Sequence, residues 1–348
     1  MKVDCLEEGK LPWDVLEQLL HKQGYLNPGI ILGPGLGLDA AVIDFEQAAT
    51  CARTFYQTHS ACYLILKTDP ITFPTPNPGK YAVVICANDV VTTGALPFGF
   101  GATIIFPPSC SKDQVLALQD EVDLQCKDLE ISILGGHTEI SSSVTSPIIC
   151  GTMIGLVPSD FYIKREIKPK NKIIVSGHSA MEGTSILARE GHEKLSRLLH
   201  ERDLKTATGY AQHLSIVKRA LEANKVIRPG LIHDATEGGI LGALYEAIAP
   251  IGLGAQIEKD LIPVSEVTAR ISELLDIDPL RLISSGTMIL VVEEEHAEEC
   301  VQILGRSLPA EIVGEVKEKG SGIRLDHSLV EPPGPDQIIK GLQNLETL

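Results

Sequence analysis

The chain has 348 residues, 44% of them hydrophobic and only 4% aromatic, which is enough for two domains of ordinary size with aliphatic cores. A formal charge of −16 argues against a nucleic-acid or anionic-membrane surface, because phosphates would be repelled. No apolar run approaches a membrane span, and the opening MKVDCLEEGK carries acids where a signal peptide would be apolar, so a cytoplasmic protein is expected.

The first marked stretch is IILGPGLGLDAAVID, residues 30–44. Gly35, Gly37 and Ala40 fit the G-x-G-x-x-G/A dinucleotide fingerprint literally. The fingerprint needs a helix after the glycines and an acid to hold a ribose, but AAVIDF reads as a strand, and no Asp or Glu lies between Glu46 and Asp69. No G-x-x-x-x-G-K-[ST] is present, so a P-loop is excluded, and a glycine-proline turn between strands stays open.

YLILKTD reads as a strand ending in Asp69, and GKYAVVICANDVVTTGA has the length and 3.6 period of a buried helix with Asn88 and Asp89 inside it. GFGATIIF is strand-like, and Ser109 or Ser111 caps an amphipathic helix over SKDQVLALQDEVDLQCKDL. ISILGGHTEI reads as a strand entering a glycine turn, and SPIICGTMIGLV as another strand. The charged, proline-bearing PSDFYIKREIKPKNK is the best linker, which divides the chain into domains 1–158 and 159–348. Beyond it, IIVSGHSAMEGTSILAREG reads as strand, turn and helix, followed by a polar helical region to about Asn224. In GLIHDATEGGILGALYEAIAPIG a glycine pair after an acidic turn opens a helix. GTMILVVEEE, HAEECVQILGRSL and AEIVGEVKE then complete a second α/β unit as strand, helix and strand. The eight cysteines form no C-x-x-C pair, and most sit in apolar strings where a thiol behaves as a small buried hydrophobe.

Carboxylates stand beside small residues at the ends of apolar runs at Asp39, Asp69, Asp89 and Asp234, with Glu139 in GGHTEI as a fifth. Acids from several elements converging on one cleft suit a magnesium nucleotide, and neighbouring glycines let backbone N–H groups reach phosphate. Each acid also has a plainer explanation. Asp39 fits a turn cap, Asp69 precedes a proline, and Asp234 fits the N-cap of the helix after Gly239. Asp89 is the exception, since an unpaired charge inside an apolar helix is costly unless it faces a ligand or metal. His137, His178 and His233 each sit near glycines, where a hydrogen-bonded structural histidine is the ordinary case.

LDAAVID, KTDPIT, GKYAVVICANDVVTTGALP, ILGGHTEI, HDATEGG and SSGTMILVVEE occur in the order seen in the AIR synthase-related (PurM-like) proteins. That family includes aminoimidazole ribonucleotide (AIR) synthase, formylglycinamidine synthase, selenophosphate synthetase, thiamine-monophosphate kinase and the hydrogenase maturation protein HypE. The chain most resembles the HypE branch, through NDVVTTGALP, ILAREG, HDATEGGILGALYEA and LISSGTMILVVEE. The resemblance implies a two-domain α/β (α+β) fold, with an N-terminal sheet forming a barrel across a homodimer and a C-terminal α/β domain. It also implies ATP and Mg²⁺ as cofactors and activation of an amide, carboxylate or alcohol oxygen by phosphoryl transfer. The acceptor would be a small molecule or a partner protein, hydrogenase maturation partners among them. Carried over by position, the metal acids are Asp39, Asp69, Asp89 and Asp234, and the nucleotide contacts are Gly37, Asp39, Lys67, Asn88, Gly135, Gly136, Thr138 and Glu139. Asp89, Asp234 and His137 take the catalytic places.

Three departures qualify the match. Leu38 stands where many relatives have a second aspartate before AAV, and Glu237 stands where HypE-like chains often carry an arginine. HypE also ends in a carbamoyl-accepting cysteine, whereas this sequence ends GLQNLETL and its last cysteine is Cys300. Cys5 lacks the setting of the N-terminal cysteine of selenophosphate synthetases. The alternatives are therefore a small-molecule kinase like thiamine-monophosphate kinase, and a non-catalytic nucleotide-binding or scaffold homologue.

Overall fold

A computed structural model describes residues 6–71 and 75–348; Cys5 lies outside the described residues. The chain divides into two units, Met1–Tyr162 and Ile163–Leu348.

The first unit comprises β1 (Gly9–Lys10), α1 (Trp13–Leu20), β2 (Ile30–Leu32), β3 (Val42–Ile43), α2 (Phe45–Tyr56), β4 (Cys62–Ile71), α3 (Pro78–Val91), β5 (Leu96–Phe106), α4 (Lys112–Asp128), β6 (Ser132–Ile140) and β7 (Ile148–Pro158). The main sheet has the order β1-β6-β5-β7-β4, with β5 and β6 parallel and the other neighbours antiparallel. α3 is apolar nearly all round, so no face of it can be left to solvent; Ala82 to Asn88, Val90 and Val91 are buried. Its first turn is closed by α4, where the Glu121 carboxylate accepts the Gly79 N–H at 3.0 Å and the Asn77 amide at 3.2 Å. α4 begins with a capping box, in which Ser111 Oγ accepts the Gln114 N–H while the Gln114 side chain accepts the Ser111 N–H.

The strand expected over AAVIDF is only Val42–Ile43, because Asp44 accepts the N–H groups of Glu46 and Gln47 and turns the chain into α2. The glycine turn expected in ISILGGHTEI is instead continuous strand. Gly135 (φ +140°) and Gly136 (φ +155°) lie within β6, beside a register shift against β5. The glycines answer to a close strand approach, since a Cβ on Gly136 would sit 2.0 Å from the Ala102 carbonyl oxygen.

The second unit comprises β8 (Lys172–Ser176), α5 (Met181–Glu190), α6 (His192–Leu195), α7 (Glu201–Gly209), α8 (Val217–Val226), β9 (Leu231–Ala235), α9 (Gly239–Ile248), β10 (Gly254–Ile257), α10 (Glu266–Leu274), β11 (Thr287–Val292), α11 (Ala297–Leu304), β12 (Ala310–Lys317), β13 (Ile323–Leu325), β14 (Ser328–Leu329) and α12 (Gln337–Thr347). Its sheet runs β14-β13-β10-β12-β8-β11-β9. Every residue of β11 is buried, as expected where helices cover both faces. α9 packs on one face and α11 on the other. A second core joins α5, α7, α10 and α12. Among the described residues no helix is long and apolar enough to cross a membrane.

Candidate functional site

Strand alternation decides which candidate residues of the first unit share a face. Lys67 pairs with Met153 and Asp69 with Gly151. A Cβ on Gly151 would meet Cys86 Sγ and the Phe100 ring, so this face is the one covered by α3. Thr68 lies on the other face, where its hydroxyl is 3.2 Å from that of Thr152.

On the α3 face three charges meet. Lys67 Nζ lies 2.9 Å from Asp89 Oδ2 and 3.7 Å from Asp69 Oδ2. Asp89 is in the last turn of α3, where the helix dipole disfavours an anion; the lysine supplies the missing counter-charge. The acid that sequence alone made unpaired is therefore paired, by a residue reaching from a neighbouring strand. Thr92 Oγ1 donates to the Asp89 carbonyl at 2.6 Å, Thr93 Oγ1 to the Val90 carbonyl at 2.7 Å, and Gly94 (φ +85°) follows; together they end the helix just beyond the acid. Burial of the Lys67 stem works against its charged form, but the hydrogen bond and charge of Asp89, with Asp69 behind it, hold the ammonium above the usual lysine range. Burial, with the same two acids adding to it, pushes the Cys86 thiol up to about 12. All three charged side chains keep some solvent access, with Asp89 22% and Lys67 36% exposed.

The other expected site residues of this unit separate from that cluster. Asn88 is fully buried within α3. Asp39 is exposed in the loop after Gly37, and Asp39, Asp69 and Asp89 do not form a group of three whose carboxylate oxygens all lie within 4.8 Å of one another. His137 and Glu139 pair with each other at 3.1 Å. Their register against Thr103 and Ile105 puts them on the sheet face opposite Asp69, whereas Gly136 and Thr138 share the face of Asp69. Pro34, Gly135, Gly136, His137 and Thr138 do line a common cavity with Lys22. Its volume is about 80 Å³, well short of the roughly 300 Å³ of a small-molecule site.

In the second unit Asp234 is buried in β9, opposite Met288 of β11. It is not the N-cap of α9; that place belongs to Gly238 at φ +77°. Glycine is required next door too, because a Cβ on Gly239 would lie 2.6 Å from the Leu280 carbonyl. The turn is held by a residue that sequence reasoning missed. Asp336 accepts N–H groups from Gly238 at 2.7 Å, Ile338 at 2.7 Å and Ile283 at 3.2 Å. Burial raises its carboxyl, and the three backbone donors work against that rise. Glu182, also missed, is buried and accepts the Ser285 N–H at 3.2 Å. Burial pushes its carboxyl up to about 7, the Ser285 hydrogen bonds oppose the rise, and the charges of Asp336 and Glu237 add to it. Position 237 thus carries negative charge that bears on a buried acid. Cys300 is enclosed in α11, its thiol pushed up to about 12 by burial, a setting without thiolate character. Elsewhere among the described residues, the one group of three metal-capable side chains within 4.8 Å is Glu293, Glu295 and His296.

These two α/β units, with acids set at a helix end and at a strand-glycine turn, match known proteins along most of the chain. Residues 37–157 match the N-terminal domain of the AIR synthase related proteins and residues 168–326 their C-terminal domain. The chain belongs to the AIR synthase-related family. Within it, a protein of Methanocaldococcus jannaschii assigned to hydrogenase expression and formation is 30% identical over 263 residues, 74% of this chain and 75% of that relative. Carbamoyl dehydratase HypE of Escherichia coli is 28% identical over 295 residues, 82% of this chain and 83% of its own. The E. coli HypE crystal structure aligns with a TM-score of 0.73 at 22% identity, over 92% of this chain and 97% of that one. A HypE solved in complex with ATP aligns with a TM-score of 0.69 at 21% identity, over 88% and 91%. The chain is thus HypE-like in sequence and shares the two-domain HypE fold.

Proposed function

We propose that the protein is a HypE-like, ATP-using member of its family that activates an amide, carboxylate or alcohol oxygen by phosphoryl transfer. The observation that carries this reading is the Lys67–Asp69–Asp89 cluster, two carboxylates and an ammonium converging at a partly exposed helix end. Two carboxylates within reach of one cation are a donor set that suits Mg²⁺, which keeps most of its other positions for water and phosphate oxygens. Lys67 would hold a phosphate oxygen; the resemblance adds Asp39 as a further acid. When bound, the metal would neutralise charge on the transferring group; the protein's own share is positioning and fixed charge, which is most of what phosphoryl transfer asks for. ATP binding by a fold relative supports the nucleotide, and a HypE solved in complex with HypF supports a maturation partner protein.

The same reading includes a homodimer. On the sheet face opposite α3, α2 covers only the end near Phe98 and Leu156, and Leu64 and Leu66 of β4 are 55% and 68% exposed. A second copy of that face is the partner of matching chemistry, and Leu66→Asp would leave a monomer by light scattering. To test the catalytic part, the protein is incubated with ATP and Mg²⁺ and the products followed. Slow ADP formation that Asp89→Asn abolishes is expected; turnover unchanged in Asp89→Asn would remove the cluster from the reaction.

A further inference from the structure

We infer that Lys67 is a resident counter-cation for Asp69 and Asp89, and that a divalent cation reaches these acids only by displacing its ammonium. This rests on the reading of the two acids as a cation site. One Nζ lies 2.9 Å from Asp89 Oδ2 and 3.7 Å from Asp69 Oδ2, so the lysine head stands where a cation shared by both carboxylates would have to be. Two carboxylates that share one ammonium repel each other where nothing else neutralises them, and the carboxyl end of α3 adds to the negative potential there. The folded protein therefore carries its own positive charge at the cluster in the absence of metal.

The lysine is placed so that it can leave. Its head is partly exposed and its charge sits on a flexible four-carbon stem, which moves far more readily than a main-chain donor. Metal alone has to compete with an ammonium tethered at high effective concentration, and displacing that ammonium strands it without an anion. A metal–nucleotide removes the difficulty, because its phosphates give the displaced ammonium a new partner. The exchange makes cation binding conditional on the nucleotide, and it gives Lys67 a role distinct from a simple phosphate contact.

The test measures Mn²⁺ binding by electron paramagnetic resonance in the absence of nucleotide, for the wild type, Lys67→Met, Lys67→Gln and Asp89→Asn. Removing one unit charge at roughly 4 Å should tighten Mn²⁺ binding by about tenfold or more in both lysine variants, and Asp89→Asn should bind least. Adding ATP should tighten Mn²⁺ binding in the wild type by a larger factor than in either lysine variant. Lys67→Gln keeps a hydrogen-bond donor near Asp89 and covers the case in which Lys67→Met fails to fold, which circular dichroism reports. Lysine variants that bind Mn²⁺ no more tightly than the wild type would overturn the exchange, even if all bind Mn·ATP. A wild type that binds no Mn·ATP would instead overturn the nucleotide reading, while tighter Mn²⁺ binding in the variants would still uphold the exchange at a cation site.

Discussion

The acids of the two units are held in opposite ways. In the first unit Asp69 and Asp89 keep solvent access and lean on one lysine side chain. In the second, Asp336 is 7% exposed and fastened by three main-chain N–H groups, and Glu182 is enclosed against Ser285. A carboxylate neutralised by a mobile side chain can change partner when a ligand arrives. One satisfied by backbone donors cannot move without breaking the fold, so burial and donor type separate an exchangeable charge from a structural one.

The sharpest way to break this comparison is Asp336→Ala, which removes the N-cap of α12 and leaves the Gly238 and Ile283 amides buried without an acceptor. A loss of about 3 kcal/mol is expected in denaturant unfolding; a loss under about 1 kcal/mol would mean that the turn does not depend on Asp336.

Glu182→Gln probes the enclosed acid through pH. Its folded pKa, pushed up to about 7, exceeds that of an unfolded glutamate, so the folded state holds the proton more firmly. The stability it confers is fully present below the unfolded value of about 4.3 and is lost as pH rises through about 7. The wild type should lose on the order of 3 kcal/mol across that window relative to Glu182→Gln. Parallel stability curves for the two proteins would refute the assignment.

Asp89→Asn should be the mildest for the fold. The Lys67 pair is partly exposed, where such pairs are worth roughly 0–1 kcal/mol, so the unfolding midpoint should move little. A loss as large as that of Asp336→Ala would make the first-unit cluster structural and erase the contrast.

Local signals carried much of the architecture. The α3 helix is readable from an apolar run too long for a strand, and the start of α4 from a serine cap at Ser109 or Ser111, between which the capping box to Gln114 decides for Ser111. The Gly135–Gly136 pair misleads because a glycine pair is a local turn signal, while its cause is the Ala102 carbonyl of another strand. Asp89 was picked out by being a charge in an apolar helix, but its partner arrives through strand–helix packing. The second-unit acids were harder still: Asp336 bonds a residue 98 positions away and Glu182 one 103 positions away, separations at which no periodicity survives. The grouping of His137 and Glu139 with Asp69 fails for a related reason. Alternation along each strand is legible, but which faces coincide depends on register.

The most direct measurement is calorimetric titration of the wild type and Asp89→Asn with ATP, with Mg²⁺ and with EDTA in its place. A nucleotide site built on the Lys67–Asp69–Asp89 cluster predicts binding to the wild type that requires Mg²⁺ and weakens by about a hundredfold or more in Asp89→Asn, the scale of losing a charge-assisted contact and stranding its partner. Equal binding by both proteins, or binding indifferent to the metal, would contradict it.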